Sequence, residues 1–281
     1  MTDSGISNFE GGTKAMRIVR YQDRSGVVSY GEQAAGAVRR IEGDVLGAFR
    51  ITSEPADVAK VLAPIVPPAI LCIGLNYRKH ADESGSPPPS FPVLFIKNPA
   101  CVQNPGDYIE IPTFLASDSV DYEGELCVIV GKRCKNVTEA QALDYVLGYT
   151  CGNDVSARDW QRQKGGSQWC RGKSFDTFAP LGPCIALKDE IPDPNKLRLK
   201  TTVSGEVMQD WSTEDMIFSV PKLVSFLSGS TTLLPGTVIM TGTPHGVGMG
   251  KNPPRWLRPG DTVSVEIEGI GVLTNPVVNE P

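Results

Sequence analysis

The sequence of 281 residues contains only two histidines, His80 and His245. A zinc site built on imidazoles, or a centre with several bases near neutral pH, has little to draw on. The seven cysteines form no Cys-x-x-Cys pair, and their number is odd. This weighs against cysteine-held zinc and against a disulfide framework. It favours buried free thiols in a reducing compartment, the cytoplasm. No apolar run approaches the roughly 20 residues that span a bilayer. The first residues, MTDSGISNFEGGTKAM, have no apolar segment of the kind a secretory signal needs. Residues 1–15 are expected to be a disordered tail. With a net charge of −5 and no basic stripe, neither nucleic acid nor membrane is an expected partner. Phosphate-loop signatures are absent as well.

What is present is punctuation. Twenty-nine glycines and 23 prolines separate short β-branched runs such as MRIVRY, GVVSYG, AILCIGL, VLFIKN, ELCVIVG, TVIMTG and DTVSVEIEG. These read as strands joined by turns. The pattern predicts two helices. One begins at Thr138, with Gln141 as its capping-box partner, Leu143, Val146 and Leu147 as its apolar stripe, and Gly148 as its end. The other begins near Ser219, carries Pro221 in its first turn, and ends at Gly229. Residues 61–69, VLAPIVPPA, read as an extended linker. The expected organisation is a small β-rich N-terminal module over 16–66 and a main domain over 67–281.

The stretch VDYEGELCVIVG (120–131) carries Glu123 and Glu125 on either side of Gly124. Side chains i and i+2 of a strand share a face, so the two carboxylates project together. Near a core they stay ionised only beside a compensating cation. The glycine between them permits close backbone approach from the far side. A solvent-facing strand end is the alternative for any Glu-x-Glu. Here the strand continues as LCVIV, apolar on both faces, which places its neighbourhood under cover. A third acid, Asp154, follows the apolar segment LGYTCGN. Three carboxylates without a histidine or cysteine form a hard oxygen site, suited to Mg²⁺ or Mn²⁺, with Ca²⁺ as a further option, rather than Zn²⁺.

Other candidates surround this set. Glu83 follows His80 by three residues, so one helical turn makes them neighbours, with the carboxylate orienting the imidazole as a base. A surface pair of little consequence is the alternative. Lys173, in a stretch flanked by glycine and aromatics, is placed to balance the acids or to stabilise an oxyanion; a solvated lysine is its alternative. Arg158 and Gln161 follow Asp154 by four and seven residues, and on one helix face they would hydrogen-bond an acidic substrate. Simple helix-surface polarity would produce the same spacing. His245, in TGTPHGVGMG, reads as part of a tight turn.

Five ordered stretches, LCIGLNYRKHADE, DYEGELCVIVGK, LGYTCGNDVSARDWQ, RGKSFDTFAPLGP and IMTGTPHGVG, together resemble the fumarylacetoacetate hydrolase superfamily over about residues 70–275. Within it, NDVSARDWQ and GKSFDTFAPLGP are most similar to the branch of domain-containing proteins 2. The resemblance implies an α+β, β-rich mixed-sheet fold and a homodimer. It implies Mg²⁺ or Mn²⁺ on Glu123, Glu125 and Asp154, and a water-activating dyad of His80 and Glu83 on a segment that closes over substrate. It further implies Lys173 as the active-site lysine, Thr243 near the substrate carboxylate, and Arg158 and Gln161 lining the pocket. His245 receives no role. The expected activity is metal-dependent cleavage of a carbon–carbon bond in a small 2-keto, acylpyruvate-like acid. The same site would also support keto–enol tautomerisation or decarboxylation of a compound such as oxaloacetate. A non-catalytic binding protein is the third option, and the intact residue set weighs against it.

Overall fold

The computed structural model describes residues 16–281 except Ala35 and Ser167. The tail expected over residues 1–15 lies outside this range. One large mixed sheet dominates the described residues. Its twelve strands include a continuous path of ten: Phe49–Pro55, Ala37–Gly43, Val28–Ala34, Arg17–Gln22, Ala179–Leu187, Val146–Asn153, Gly124–Val130, Val238–Met240, Ile70–Gly74 and Val93–Lys97. Most neighbours run antiparallel; Val238–Met240 and Ile70–Gly74 are parallel. A second sheet of five strands packs against it, with Arg198–Val203 and Thr262–Ile267 at its centre. Among the described residues, three short α-helices complete the fold: α1 (Arg78–Glu83), α2 (Trp169–Lys173) and α3 (Val220–Ser228). This is the β-rich α+β architecture that the family resemblance implied, and its strands fall on the alternating β-branched runs and turns. None of the described helices is long and apolar enough to cross a membrane.

The four strands of residues 17–55 form one end of the large sheet, and Arg17–Gln22 pairs directly with Ala179–Leu187. The stretch 61–69 begins in a strand rather than a linker, because Val61 and Leu62 belong to Lys60–Leu62, which pairs with Arg17–Gln22.

The strand Gly124–Val130 is buried along its whole length. Cys127 and Ile129 pack with Cys72, Val238 and Met240 on one side. Leu126, Val128 and Val130 pack with Leu199, Val265 and α3 residues Leu223 and Val224 on the other. Each such fully buried aliphatic side chain stabilises the fold by about 1.5–3 kcal/mol. Cover on both faces accounts for the unbroken apolar run.

The second predicted helix is present as α3. Ser219 caps it by accepting from the Lys222 amide, and Gly229 follows its last residue. The first is corrected. Residues Glu139–Tyr145 form a 3₁₀ helix, and Val146–Asn153 is a strand pairing with both Gly124–Val130 and Ala179–Leu187. The Thr138 hydroxyl donates to Gln141 Oε1 instead of capping the backbone. Val146 sits in a central strand, so ladder pairing on both sides overrides the helical spacing of the apolar residues.

Candidate active site

Glu123 stands immediately before the buried strand and Glu125 is its second residue, so both point to the same side. Gly124 faces away into the second sheet, where a Cβ would lie 2.1 Å from Thr201 Oγ1 and 3.2 Å from Gln209 Oε1. Glycine is what lets the second sheet approach the strand at this level. Asp154 follows Val146–Asn153, and its amide donates to the Glu123 carbonyl at 2.8 Å, which fixes its place beside the pair. Carboxylate oxygens of Glu123, Glu125 and Asp154 lie within 4.8 Å of one another, and all three residues are buried.

Four buried carboxylates, Asp121, Glu123, Glu125 and Asp154, meet three buried cations, Lys97, Arg158 and Lys173. Lys173 Nζ contacts Glu123 at 2.6 Å and Asp154 at 2.7 Å. Lys97 Nζ contacts the other Asp154 oxygen at 2.5 Å and donates to the Val155 carbonyl. Arg158 Nη2 lies 2.8 Å from Asp121 and 2.7 Å from Glu123, while its Nη1 donates to Gln161 Oε1. Glu125 has no ion pair among the described residues; it accepts from the Gly242 amide at 2.7 Å.

The protonation balance follows from these contacts. Burial opposes ionisation of Glu123, but Lys173 and Arg158 outweigh it and hold its carboxyl well below the usual range. Burial, then the charges of Asp154 and Glu123, push the Glu125 carboxyl well above its ordinary value. Burial also opposes the charge on Lys173, yet Asp154 and Glu123 raise its pKa. The protein's own cations thus satisfy three of the acids and leave Glu125 facing two carboxylates. A divalent cation would complete this balance, and an all-oxygen donor set is the set that hard cations take. The residues therefore fit the metal that the sequence suggested.

His80 and Glu83 lie one turn apart on α1, with His80 Nδ1 2.9 Å from Glu83 Oε2. The other Glu83 oxygen accepts from the Gly246 amide at 2.9 Å. Burial opposes ionisation of Glu83, but the His80 hydrogen bond and the Gly246 amide outweigh it and lower its pKa. The helix is itself anchored: Arg78 Nη1 donates to the Asp215 and Met216 carbonyls, and Asp215 accepts from the Lys79 amide. A cavity of about 140 Å³ brings the set together. Its wall includes His80, Glu123, Glu125, Arg158, Gln161, Lys173 and Thr243. Thr243 is tied to the framework, donating to the Gly124 carbonyl and accepting from Gln209. His245 packs edge-on against Trp211.

Comparison with known proteins follows the same lines. The fumarylacetoacetate (FAA) hydrolase C-terminal family profile matches residues 69–278. The chain belongs to the fumarylacetoacetate hydrolase family. It is 48% identical, over 79% of its length and 75% of the relative's, to a fumarylacetoacetate hydrolase domain-containing protein 2 homolog from Dictyostelium discoideum. It is 42% identical to the human mitochondrial oxaloacetate tautomerase FAHD2A, over 80% of this chain and 71% of that one. Among solved structures, 5-carboxymethyl-2-hydroxymuconate delta-isomerase from Mycobacterium smegmatis superposes with a TM-score of 0.83. The two are 38% identical, with 94% of this chain and all of that chain covered. The chain is therefore an enzyme of the fumarylacetoacetate hydrolase superfamily.

Several residues of this site were not singled out in the sequence. Lys97 ends the run VLFIK, in which Val93, Phe95 and Lys97 share a strand face; the ammonium group is carried inward because that face meets Asp154. Asp121 lies two residues before Glu123 and continues its alternation, which was the available signal. Gln209, which joins the Gly124 amide to Thr243, sits in a strand with no local mark of its role.

Proposed function

We propose that this enzyme interconverts the keto and enol forms of a compact 2-keto acid of the oxaloacetate type. The observation that carries the proposal is the convergence of Glu123, Glu125, Lys173 and His80 on one small cavity. Its volume of about 140 Å³ lies below the ~300–1,000 Å³ of sites for drug-sized ligands, which suits a short acid. The relatives named as oxaloacetate tautomerases and the isomerase of similar fold support the same reaction class.

Glu123, Glu125 and Asp154 would hold the divalent metal, Mg²⁺ or Mn²⁺, which when bound supplies Lewis acidity toward the 2-oxo group. Lys173 balances Glu123 and Asp154 and keeps a positive charge at the cavity wall, where it favours negative charge developing on the substrate oxygen. Glu83 holds His80 through Nδ1, which leaves Nε2 as the nitrogen that takes a proton from the carbon beside the carbonyl; that proton then passes to the enolate oxygen to give the enol, and the reverse sequence restores the keto form. Gln161 and Thr243 shape the wall around the acid.

A second reading, hydrolytic cleavage of a carbon–carbon bond in an acylpyruvate-like acid, is favoured by the His80–Glu83 contact, an arrangement that equally activates water. One assay separates the readings. The Mg²⁺-loaded protein is given enol oxaloacetate and, separately, an acylpyruvate, with enol absorbance, CO₂ release and NMR of products followed together. Accelerated loss of enol without CO₂ or acyl cleavage is expected. Acyl cleavage without enol turnover would replace the tautomerase with the hydrolase, and CO₂ release would replace it with a decarboxylase. The same proposal includes a homodimer, read by sedimentation, and a reducing compartment, which seven unpaired thiols support.

A further inference from the structure

Three side chains of fixed positive charge line the cavity: Lys173, Arg158 and Arg162. The first two are already held by carboxylates of the protein, Lys173 by Glu123 and Asp154, and Arg158 by Asp121 and Glu123. Arg162 is different. It makes no ion pair and no side-chain hydrogen bond with the described residues, although its neighbour Lys164 is held by Asp159 at 2.9 Å. Arg162 is exposed while Gln161 beside it is buried, so the pair runs from the cavity wall to its mouth.

The backbone explains how two consecutive side chains reach one cavity. Residues Trp160–Lys164 form a π-helical turn, wider than an α-helical one and of a kind that recurs at functional sites. Gly172 of α2 lets that turn pack closely, since a Cβ there would lie 2.5 Å from the Gln161 amide nitrogen. Desolvation on its cavity side, and then the charge of Arg158, lower the Arg162 pKa, with Glu123 acting in the opposite sense. The guanidinium thus feels the like charge of Arg158 and has no carboxylate partner among the described residues.

We propose that Arg162 binds the distal carboxylate of the substrate, so that the site selects 2-keto dicarboxylic acids over 2-keto monocarboxylic acids. This rests on the proposed 2-keto acid chemistry. The reacting end of the substrate is directed to Glu123, Glu125 and Lys173, and its far end to the cavity mouth. A guanidinium is suited to that task because its planar fork can engage both carboxylate oxygens at once.

The test uses the full chain with Mg²⁺ and two ligands, oxaloacetate and 2-oxobutanoate, which differ in having a carboxylate or a methyl group at the far end. Binding is measured by calorimetry. The unmodified protein should prefer oxaloacetate by about 10–100-fold, the range of a charge-assisted hydrogen bond. In Arg162→Gln that preference should collapse while 2-oxobutanoate affinity stays within about twofold; Arg162→Lys should retain part of it. A preserved preference in Arg162→Gln, an equal loss for both ligands, or no binding of either ligand to the unmodified protein would overturn the assignment. Enol turnover by the unmodified protein is recorded alongside. Turnover with no effect of Arg162→Gln removes Arg162 and leaves the tautomerase standing. A preference that depends on Arg162 without turnover removes the tautomerase and leaves Arg162.

Discussion

His80 Nδ1 lies 2.9 Å from Glu83 Oε2, one turn away on α1, and the second Glu83 oxygen accepts the Gly246 amide from the turn that follows Val238–Met240. The carboxylate therefore fixes the imidazole from one side while the large sheet fixes the carboxylate from the other.

Glu83→Gln should lower kcat by about 10–100-fold, part of the 10²–10⁴ range for a positioned acid–base group, with KM within about twofold. The Glu83 carboxyl is held below its ordinary value, so it is anionic above the usual carboxylate range and protonates only beneath it. The rate penalty of Glu83→Gln relative to the unmodified protein should accordingly be present at neutral pH. It should narrow only on the acid side of the usual carboxylate range. Stopped-flow rates across pH read this directly, and a full-sized penalty that persists well below the usual carboxylate range would count against Glu83 as the orienting anion.

Metal addition should stabilise the fold, because Glu125 lacks a cation of its own. At 100 times the dissociation constant the gain is about 2.7 kcal/mol, and melting with Mg²⁺ or Mn²⁺ against EDTA measures it. Glu123→Ala should abolish the shift, whereas His80→Ala should leave it intact. An equal shift in Glu123→Ala would place the ion elsewhere.

Lys97 is 1% exposed and contacts Asp154. Breaking such a buried pair from one side costs about 3–5 kcal/mol, so Lys97→Met should unfold at lower urea without metal. Bound Mg²⁺ should restore part of the loss, giving this variant a larger metal-dependent gain than the unmodified chain. Urea melts with and without Mg²⁺ decide it; an unchanged midpoint without metal would show that Asp154 does not depend on Lys97.

The acids were legible because strand geometry is local. The i and i+2 rule alone places Glu123 and Glu125 together, and Gly124 between them marks the close approach of Thr201. The caps of α3 were legible for the same reason. Residues 139–153 were not: their helical spacing is real, but Val146–Asn153 lies between two strands that are distant in sequence, and their pairing decides its state. Lys97 and Gln209 escaped because their partners, Asp154 and Thr243, are far along the chain, and a lone lysine or glutamine in a strand announces nothing. Arg158 was expected to line the pocket and is part of the cavity wall; its contacts with Asp121 and Glu123 are ones that only the folded chain reveals.

The most direct measurement of the central claim is the rate at which the Mg²⁺-loaded protein converts enol oxaloacetate to the keto form, compared with His80→Ala and Glu125→Gln. The account predicts saturable acceleration by the unmodified chain, a loss of at least about 100-fold in His80→Ala with the metal-induced melting shift retained, and loss of both rate and shift in Glu125→Gln. Full activity in His80→Ala, or turnover that survives complete removal of the metal, would contradict it.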